Sequence, residues 1–313
     1  MHARALLRER LDAESRRRPV AAVAALAARL AERAGGHAAA VLFYGSNLRE
    51  AALEGVLDFY VLLDRAGDWP GARSAAMALR VLPPNVGYLE CEVEGVTLRA
   101  KVAVMTFAQF HAGMQRATLD TTLWARFSQP CMLAWTRSAT DRDRVLDALT
   151  DAVCTAAHWA AALGPERAGA ADFWRALYAR TYAAELRVER GGRAADLVER
   201  DAPRYADLLP LAWSAAGLAC EPQDDGTLAP RLTAAARDAA LRRWQWRARL
   251  GKPLNLLRLL KAAFTFENAA DYAAWKVQRH AGVRLELSDW QRRHPLLAAP
   301  GIWWRLRRLG VLR

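Results

Sequence analysis

Residues 41–60 read VLFYGSNLREAALEGVLDFY, and this stretch decides the fold. An apolar run over residues 39–44 ends at Gly45, which is typical of a buried strand. After a polar arc, a second apolar run over residues 56–63 contains one acid, Asp58. Because glycine permits a tight turn, the pattern predicts a strand, a turn into a helix, and a second strand whose acid faces the turn.

The Gly45-Ser46 turn and Asp58 together suit phosphate chemistry. The Ser46 hydroxyl and nearby backbone N–H groups can hold phosphate oxygens at the start of a helix. A carboxylate on the adjacent strand can hold Mg²⁺, which bridges phosphate oxygens during an in-line displacement. This layout resembles the palm of nucleotidyltransferases, although a strand–Gly–Ser–helix turn is also found in many α/β proteins for steric reasons alone.

Two positions depart from the usual palm. The second strand commonly carries another acid two residues after the first, but here that residue is Tyr60, whose phenol cannot replace a carboxylate as an Mg²⁺ ligand. A third acid is expected on the later strand VTLRAKVAV, which offers Lys101 instead. The pattern therefore predicts a site with one strand acid and additional cations.

The rest of the chain predicts an α+β protein. Helix is expected over residues 3–34 with an interruption near Pro19, and two strands are expected around a Glu94-Gly95 turn. Helical spacing then recurs over residues 141–164, 170–190, 203–218 and 228–250. We expect three parts: a nucleotidyltransferase-like mixed-sheet domain with an N-terminal helix over 1–137, a mainly helical domain with a winged helix as one option over 138–230, and a basic, amphipathic helical region over 231–313.

The net charge of the chain is +12, and it is concentrated at one end. Residues 231–313 carry 18 Lys and Arg against 5 Asp and Glu, which leaves the other residues near neutrality. Such a basic region indicates an anionic partner, such as a nucleotide, a nucleic acid or an anionic membrane. No apolar run reaches the roughly 20 residues that span a bilayer, and the N-terminus lacks an apolar signal core, so we expect a cytoplasmic protein.

A family resemblance rests on several segments in chain order. FYGSNLREAALEGVLDFYVLLDRAGDWP, residues 43–70, resembles the core of the mitochondrial phosphatidate cytidylyltransferases, the translocator assembly and maintenance family. That family has a Tyr-Gly-Ser turn followed by Leu-Asp-Phe and then lacks the second acid. Further segments are similar over residues 85–114, 124–135, 181–190 and 256–282. The chain departs from the family at Asn47, Ala262 and Phe266, where the family has Gly, Gly and Ala.

The resemblance implies a reaction and a set of site residues. CTP and phosphatidic acid, or another anionic phospholipid, would give CDP-diacylglycerol and pyrophosphate with Mg²⁺ as cofactor. The matches place Glu185 and Arg187 at an acid and an arginine of the family, and Lys261 and Thr265 at the lysine and threonine of its C-terminal stretch. The implied roles are catalysis by Asp58 and Lys101, nucleotide binding by Gly45, Ser46, Asn47, Arg126 and Lys261, and metal binding by Asp58 and Glu185.

Three of these side chains also have a structural interpretation. Lys101 is equally well explained as a strand lysine that reaches solvent, whereas the patterns around Arg126 and Glu185 favour a solvated helical face. Glu185 would then pair with Arg187 or Arg190.

The C-terminal end predicts contact with a membrane. Residues 300–313, PGIWWRLRRLGVLR, place Trp303 and Trp304 among basic residues that include Arg305, Arg307 and Arg308. Tryptophan prefers the bilayer interface and arginine attracts anionic lipid, so we expect peripheral association with the inner face of the membrane. For residues 241–264, which are also basic and amphipathic, we expect core packing instead.

Three other interpretations remain open. The chain can be a nucleotidyltransferase that modifies RNA, an antibiotic or a protein, although the missing second acid is typical of neither RNA-tailing nor antibiotic-modifying enzymes. It can be a catalytically inactive, membrane-associated scaffold with a palm fold. A helical DNA-binding regulator is disfavoured by the strand-rich first part, and nucleic acid is therefore an unlikely partner.

Overall fold

A computed structural model describes residues 2–16, 20–50, 55–71, 73–93, 95–185 and 193–308. The seven strands are β1 Ala38–Tyr44, β2 Val56–Leu63, β3 Asn85–Val93, β4 Val96–Thr106, β5 Cys131–Thr136, β6 Cys220–Pro222 and β7 Leu228–Pro230. The first seven helices are α1 His2–Ser15, α2 Ala21–Arg33, α3 Ser46–Glu50, α4 Arg73–Val81, α5 Phe107–Gly113, α6 Thr122–Phe127 and α7 Ala139–Leu163. The others are α8 Ala170–Ala184, α9 Arg193–Arg200, α10 Ala202–Ala215, α11 Ala234–Thr265, α12 Ala269–Ala281, α13 Asp289–Arg293 and α14 Pro295–Arg308.

Five strands form one mixed sheet in the order β3-β4-β2-β1-β5. β2 and β4 are parallel, and the three other pairings are antiparallel. The α+β class and the mixed sheet are thus confirmed, as are the break between α1 and α2 and the two strands around Gly95. The domain boundaries at residues 137 and 230 remain predictions.

Two local features differ from the sequence predictions. β5 was not anticipated, because CMLAWT is a short apolar run without the alternation that marks a half-buried strand. Residues 228–230 form β7, which pairs with β6, and α11 begins only at Ala234. There the Thr233 side chain caps the helix by accepting a hydrogen bond from the Ala236 N–H at 3.2 Å.

The apolar core is continuous from the sheet to the helices. α2 packs on one face of the sheet, and α7 packs against α1, α6, α8 and α10. Four tryptophans are fully buried in this core: Trp124, Trp159, Trp174 and Trp213. α11 extends beyond this bundle and reaches β3. Its second half therefore packs over the face of the sheet that α2 does not cover.

Candidate active site

The Asp58 carboxylate lies directly against the turn that follows β1. A Cβ atom at Gly45 would lie 2.9 Å from Oδ2 of Asp58, and the φ of Gly45 is +99°, which L side chains rarely adopt. The positive φ favours glycine at this position, and a side chain there would displace the Asp58 carboxylate. The turn therefore brings backbone and carboxylate together, as the sequence pattern predicts.

A row of side chains crosses the sheet at this level. Asp58 is opposite Tyr44 on β1 and opposite Lys101 on β4, and Lys101 is in turn opposite Tyr88 on β3. Residues directly opposite on neighbouring strands point to the same face of a sheet. Lys101 is half-buried beside Asp58, and it lines the cavity described next.

A cavity of about 320 Å³ opens on this face of the sheet, between the strands and α11. Its volume falls at the small end of the ligand pockets of proteins, which measure roughly 300–1,000 Å³. Four of the predicted site residues line it: Lys101, Arg126, Glu185 and Lys261. The fold thus gathers side chains from β4, α6, α11 and the end of α8 around one space.

Arg126 lies beside Tyr60, the residue that departs from the palm pattern on β2. Its Nη1 donates to the Tyr60 hydroxyl at 3.1 Å and to the Tyr44 hydroxyl at 3.5 Å, and its guanidinium lies 5.1 Å from the centre of the Tyr44 ring. Burial opposes its charge, but the oxygens of Tyr44 and Tyr60 and the carboxylates of Glu185 and Asp58 raise its pKa. A cation therefore lies beside Tyr60, the position at which the palm pattern predicts a second acid.

Glu185 is buried, with 7% of its surface exposed. It follows the last residue of α8 and accepts a hydrogen bond from Thr121 Oγ1 at 3.2 Å. The interpretation of Arg126 and Glu185 as parts of a solvated helical face is therefore wrong. The anticipated partners Arg187 and Arg190 lie outside the described residues.

The ammonium group of Lys261 forms hydrogen bonds with other groups of the protein. Its Nζ donates to the Leu82 carbonyl at 2.6 Å, to the Pro84 carbonyl and to Asn85 Oδ1 at 3.1 Å. Burial, and then Arg258, lower its pKa to about 8. Lys261 thus fastens α11 to the segment that enters β3, and nucleotide binding by this residue remains a prediction.

Ser46 and Asn47 begin the short helix α3. Ser46 is exposed, so its hydroxyl is accessible at the turn. Asn47 Nδ2 donates to the Val56 carbonyl at 3.0 Å, which ties the start of α3 to the start of β2. Asn47 therefore holds the shape of the turn through its side chain.

The donor set suits Mg²⁺ only in part. No group of three or more His, Cys, Asp or Glu side chains with metal-binding proximity is found among the described residues. The two carboxylates that the sequence assigns to the metal, Asp58 and Glu185, both raise the pKa of Arg126. Mg²⁺ commonly takes one or two protein carboxylates and completes its shell with phosphates and water. Asp58 fits that requirement, provided that a triphosphate supplies further oxygens.

An ion pair between two residues that line the cavity was not anticipated from the sequence. Arg258 Nη2 donates to Asp120 Oδ2 at 2.6 Å, and both side chains are more than four-fifths buried. Burial opposes the charge of Asp120, but Arg258 and the Thr122 N–H hold its pKa below the usual value. These residues are 138 positions apart, so no local pattern indicates that they meet.

The predicted membrane-contacting side chains lie at the surface. Trp303 and Trp304 are 51% and 57% exposed, and Arg307 and Arg308 lie over their rings at 5.4 and 4.6 Å. Arg305 is exposed too, whereas Leu306 is buried and faces the protein. Within the described part of the chain, no helix is both long and apolar enough to cross a bilayer.

The expectation of core packing for residues 241–264 is wrong in its second half. Only Trp244 and Arg247 of this stretch are buried, because α11 leaves the helical bundle beyond them. Five large apolar side chains further along α11 are 51–81% exposed: Leu256, Leu257, Leu259, Leu260 and Phe264. This apolar surface flanks the cavity, which Leu259 itself lines.

Comparison with known proteins adds no assignment: no protein-family model matches the chain, and no curated protein matches its sequence.

Proposed function

We propose that the protein is a nucleotidyltransferase-fold enzyme that transfers CMP from CTP to phosphatidic acid, giving CDP-diacylglycerol and pyrophosphate at a membrane surface. The observation that carries this proposal is the arrangement of Asp58 against Gly45, with Lys101 beside it on the sheet. Arg126 adds a half-buried cation to the same region. One acid among several cations suits a reaction whose substrates are all phosphates.

The chemistry needs little from a general base. A lipid phosphate oxygen attacks the α-phosphorus of CTP, a new P–O bond forms, and the bond to the bridging β-phosphate oxygen breaks to release pyrophosphate. The phosphate monoester is already ionised near neutral pH, so it is a nucleophile without further proton removal. Catalysis then depends on positioning the reactants and on stabilising charge.

Each residue has a role in this scheme. The backbone at Gly45 and Ser46 would hold the triphosphate, and Asp58 would hold Mg²⁺, which when bound neutralises charge on the phosphate oxygens. Lys101 and Arg126 would stabilise the negative charge that develops around the α-phosphate. Glu185 would help to fix Arg126 in place.

A transfer assay tests the proposal. Purified protein with α-labelled CTP, Mg²⁺ and phosphatidic acid liposomes should give a lipid-soluble cytidylate. Transfer of the label to RNA instead would favour the RNA-modifying alternative. Measured CTP binding without transfer to any acceptor would support the inactive scaffold.

Membrane contact through α14 is a separate prediction. Exchanging Trp303 and Trp304 for alanine should lower binding to anionic liposomes, because exposed tryptophans beside arginines favour the lipid interface. Flotation of the wild-type and variant proteins with phosphatidic acid liposomes measures this. Unchanged flotation of the double variant, or of a chain that ends at residue 299, would contradict the role of α14. The exposed leucines of α11 would then be the first alternative to test.

A further inference from the structure

Helix α12 is anchored to the edge of the sheet. Glu267, just before the helix, forms a β-bridge with Gly87, and the Tyr88 N–H donates to the Glu267 carbonyl at 2.9 Å. Asn268 Nδ2 donates back to the Tyr88 carbonyl at 2.8 Å. The Glu267 carboxylate also pairs with Arg33. The start of α12 is thus fixed relative to the row that contains Lys101 and Asp58.

An aromatic stack directs the other end of α12 toward the active-site turn. The rings of Tyr88 and Tyr272 are 5.3 Å apart, and those of Tyr272 and Trp275 are 6.2 Å apart. The guanidinium of Arg279 lies over Trp275 at 5.3 Å. This stacking positions the Arg279 side chain one turn beyond Trp275.

Arg279 reaches Gly55, the residue just before β2. A Cβ atom at Gly55 would lie 2.9 Å from Arg279 Nη1 and 3.7 Å from Asn47 Nδ2. Because Gly55 has no side chain, the Arg279 guanidinium can occupy the space beside it. Arg279 itself is exposed, so its remaining donors can meet a ligand at the turn.

We propose that Arg279 binds the polyphosphate chain of the nucleoside triphosphate, so that α12 closes the nucleotide site from the side opposite the cavity. This inference rests on the proposed function for the identity of the nucleotide. Lys101 and Arg126 line the cavity, whereas Arg279 lies beside Gly55, the residue just before β2, where the Asn47 side chain is also close. A chain of phosphates that starts in the cavity and passes Asp58 would end at Arg279.

Charge supports this assignment. A triphosphate carries several negative charges, and Asp58 adds another at the same turn. A guanidinium offers a fork of N–H donors that matches phosphate oxygens in a bidentate manner. The ring of Trp275 restrains this fork, so less side-chain freedom is lost when the phosphate binds.

Binding measurements on the full-length protein test the inference without any lipid acceptor. Isothermal titration with Mg²⁺–CTP and with Mg²⁺–tripolyphosphate compares the wild type with Arg279→Gln and Arg279→Lys. We expect Arg279→Gln to weaken both ligands about 10- to 100-fold, and Arg279→Lys to recover part of the loss. Lys276→Gln is the matched control, since it removes a charge from the same helix at a side chain that lies over Tyr272.

The outcomes separate this inference from the proposed function. Equal weakening by Lys276→Gln, or unchanged binding in Arg279→Gln with a normal thermal melt, overturns the role of Arg279. A wild-type KM for CTP in Arg279→Gln during lipid cytidylylation also overturns it, while the proposed function stands. Arg279-dependent binding of both ligands without any lipid product supports the inference and contradicts the proposed function.

Discussion

Replacing Asp58 with asparagine is expected to lower the turnover of CTP by about 10³-fold or more, because the change removes the carboxylate that lies against the Gly45 turn. Asparagine has nearly the same shape as aspartate, and position 58 is half-buried, so the thermal melt should stay near the wild-type value. The measurement is steady-state transfer of labelled cytidylate to phosphatidic acid liposomes, together with a circular-dichroism melt.

The control for this variant is Asp207→Asn, which makes the same change at a carboxylate that is 63% exposed on α10. Asp207→Asn should leave turnover unchanged. Retention of more than about a tenth of the activity by Asp58→Asn would contradict a metal-binding role for this residue. A parallel loss of melting temperature would instead assign Asp58 to the stability of the turn.

Replacing Arg126 with glutamine is expected to lower kcat/KM for CTP by about 10²- to 10³-fold, since a preorganised cation is lost from the reacting region. The same change should lower the free energy of unfolding by about 1–3 kcal/mol, because the hydroxyls of Tyr44 and Tyr60 lose a charged partner in a buried place. Glu185 would also stay buried without this neighbouring cation. Turnover and denaturant unfolding are measured side by side.

Two further variants sharpen the interpretation. Arg126→Lys keeps the charge but loses the planar fork, so partial rescue of turnover is expected. Lys261→Met should lower stability while changing the KM for CTP less than Arg126→Gln does, because Lys261 donates to three oxygens of the protein. A large increase in the KM for CTP without a loss of stability in Lys261→Met would instead assign Lys261 to the nucleotide site.

Local patterns predicted the centre of the site. The apolar runs and the glycine between them indicated β1, β2 and the turn, and the structure places the Asp58 carboxylate at that turn. The position of Lys101 beside Asp58 follows from the parallel register of β2 and β4. Strand alternation does not encode the register between strands that are distant in the chain. Residue spacing alone could therefore not predict this neighbour, and the comparison with the palm pattern and the family resemblance pointed to Lys101.

Tertiary contacts explain what local patterns missed. Arg126 and Glu185 looked like surface residues because each lies in a segment with ordinary helical spacing, yet both are drawn into the interior by the packing of α6 and α8. The exposed leucines of α11 gave the opposite error, since an apolar stripe at helical spacing usually packs into a core. In both cases the burial of a side chain depends on which other element packs against its segment. The sequence of the segment alone does not specify that element.

The bridge between Gly87 and Glu267 also bears on solubility. β3 is an edge strand, and an uncovered strand edge is a template for pairing with another chain. The residues that lead into α12 occupy part of that edge, where the Tyr88 N–H and carbonyl are both engaged. A chain shortened before Phe266 would present those two groups to its neighbours, so the C-terminal region protects the sheet against edge-to-edge association.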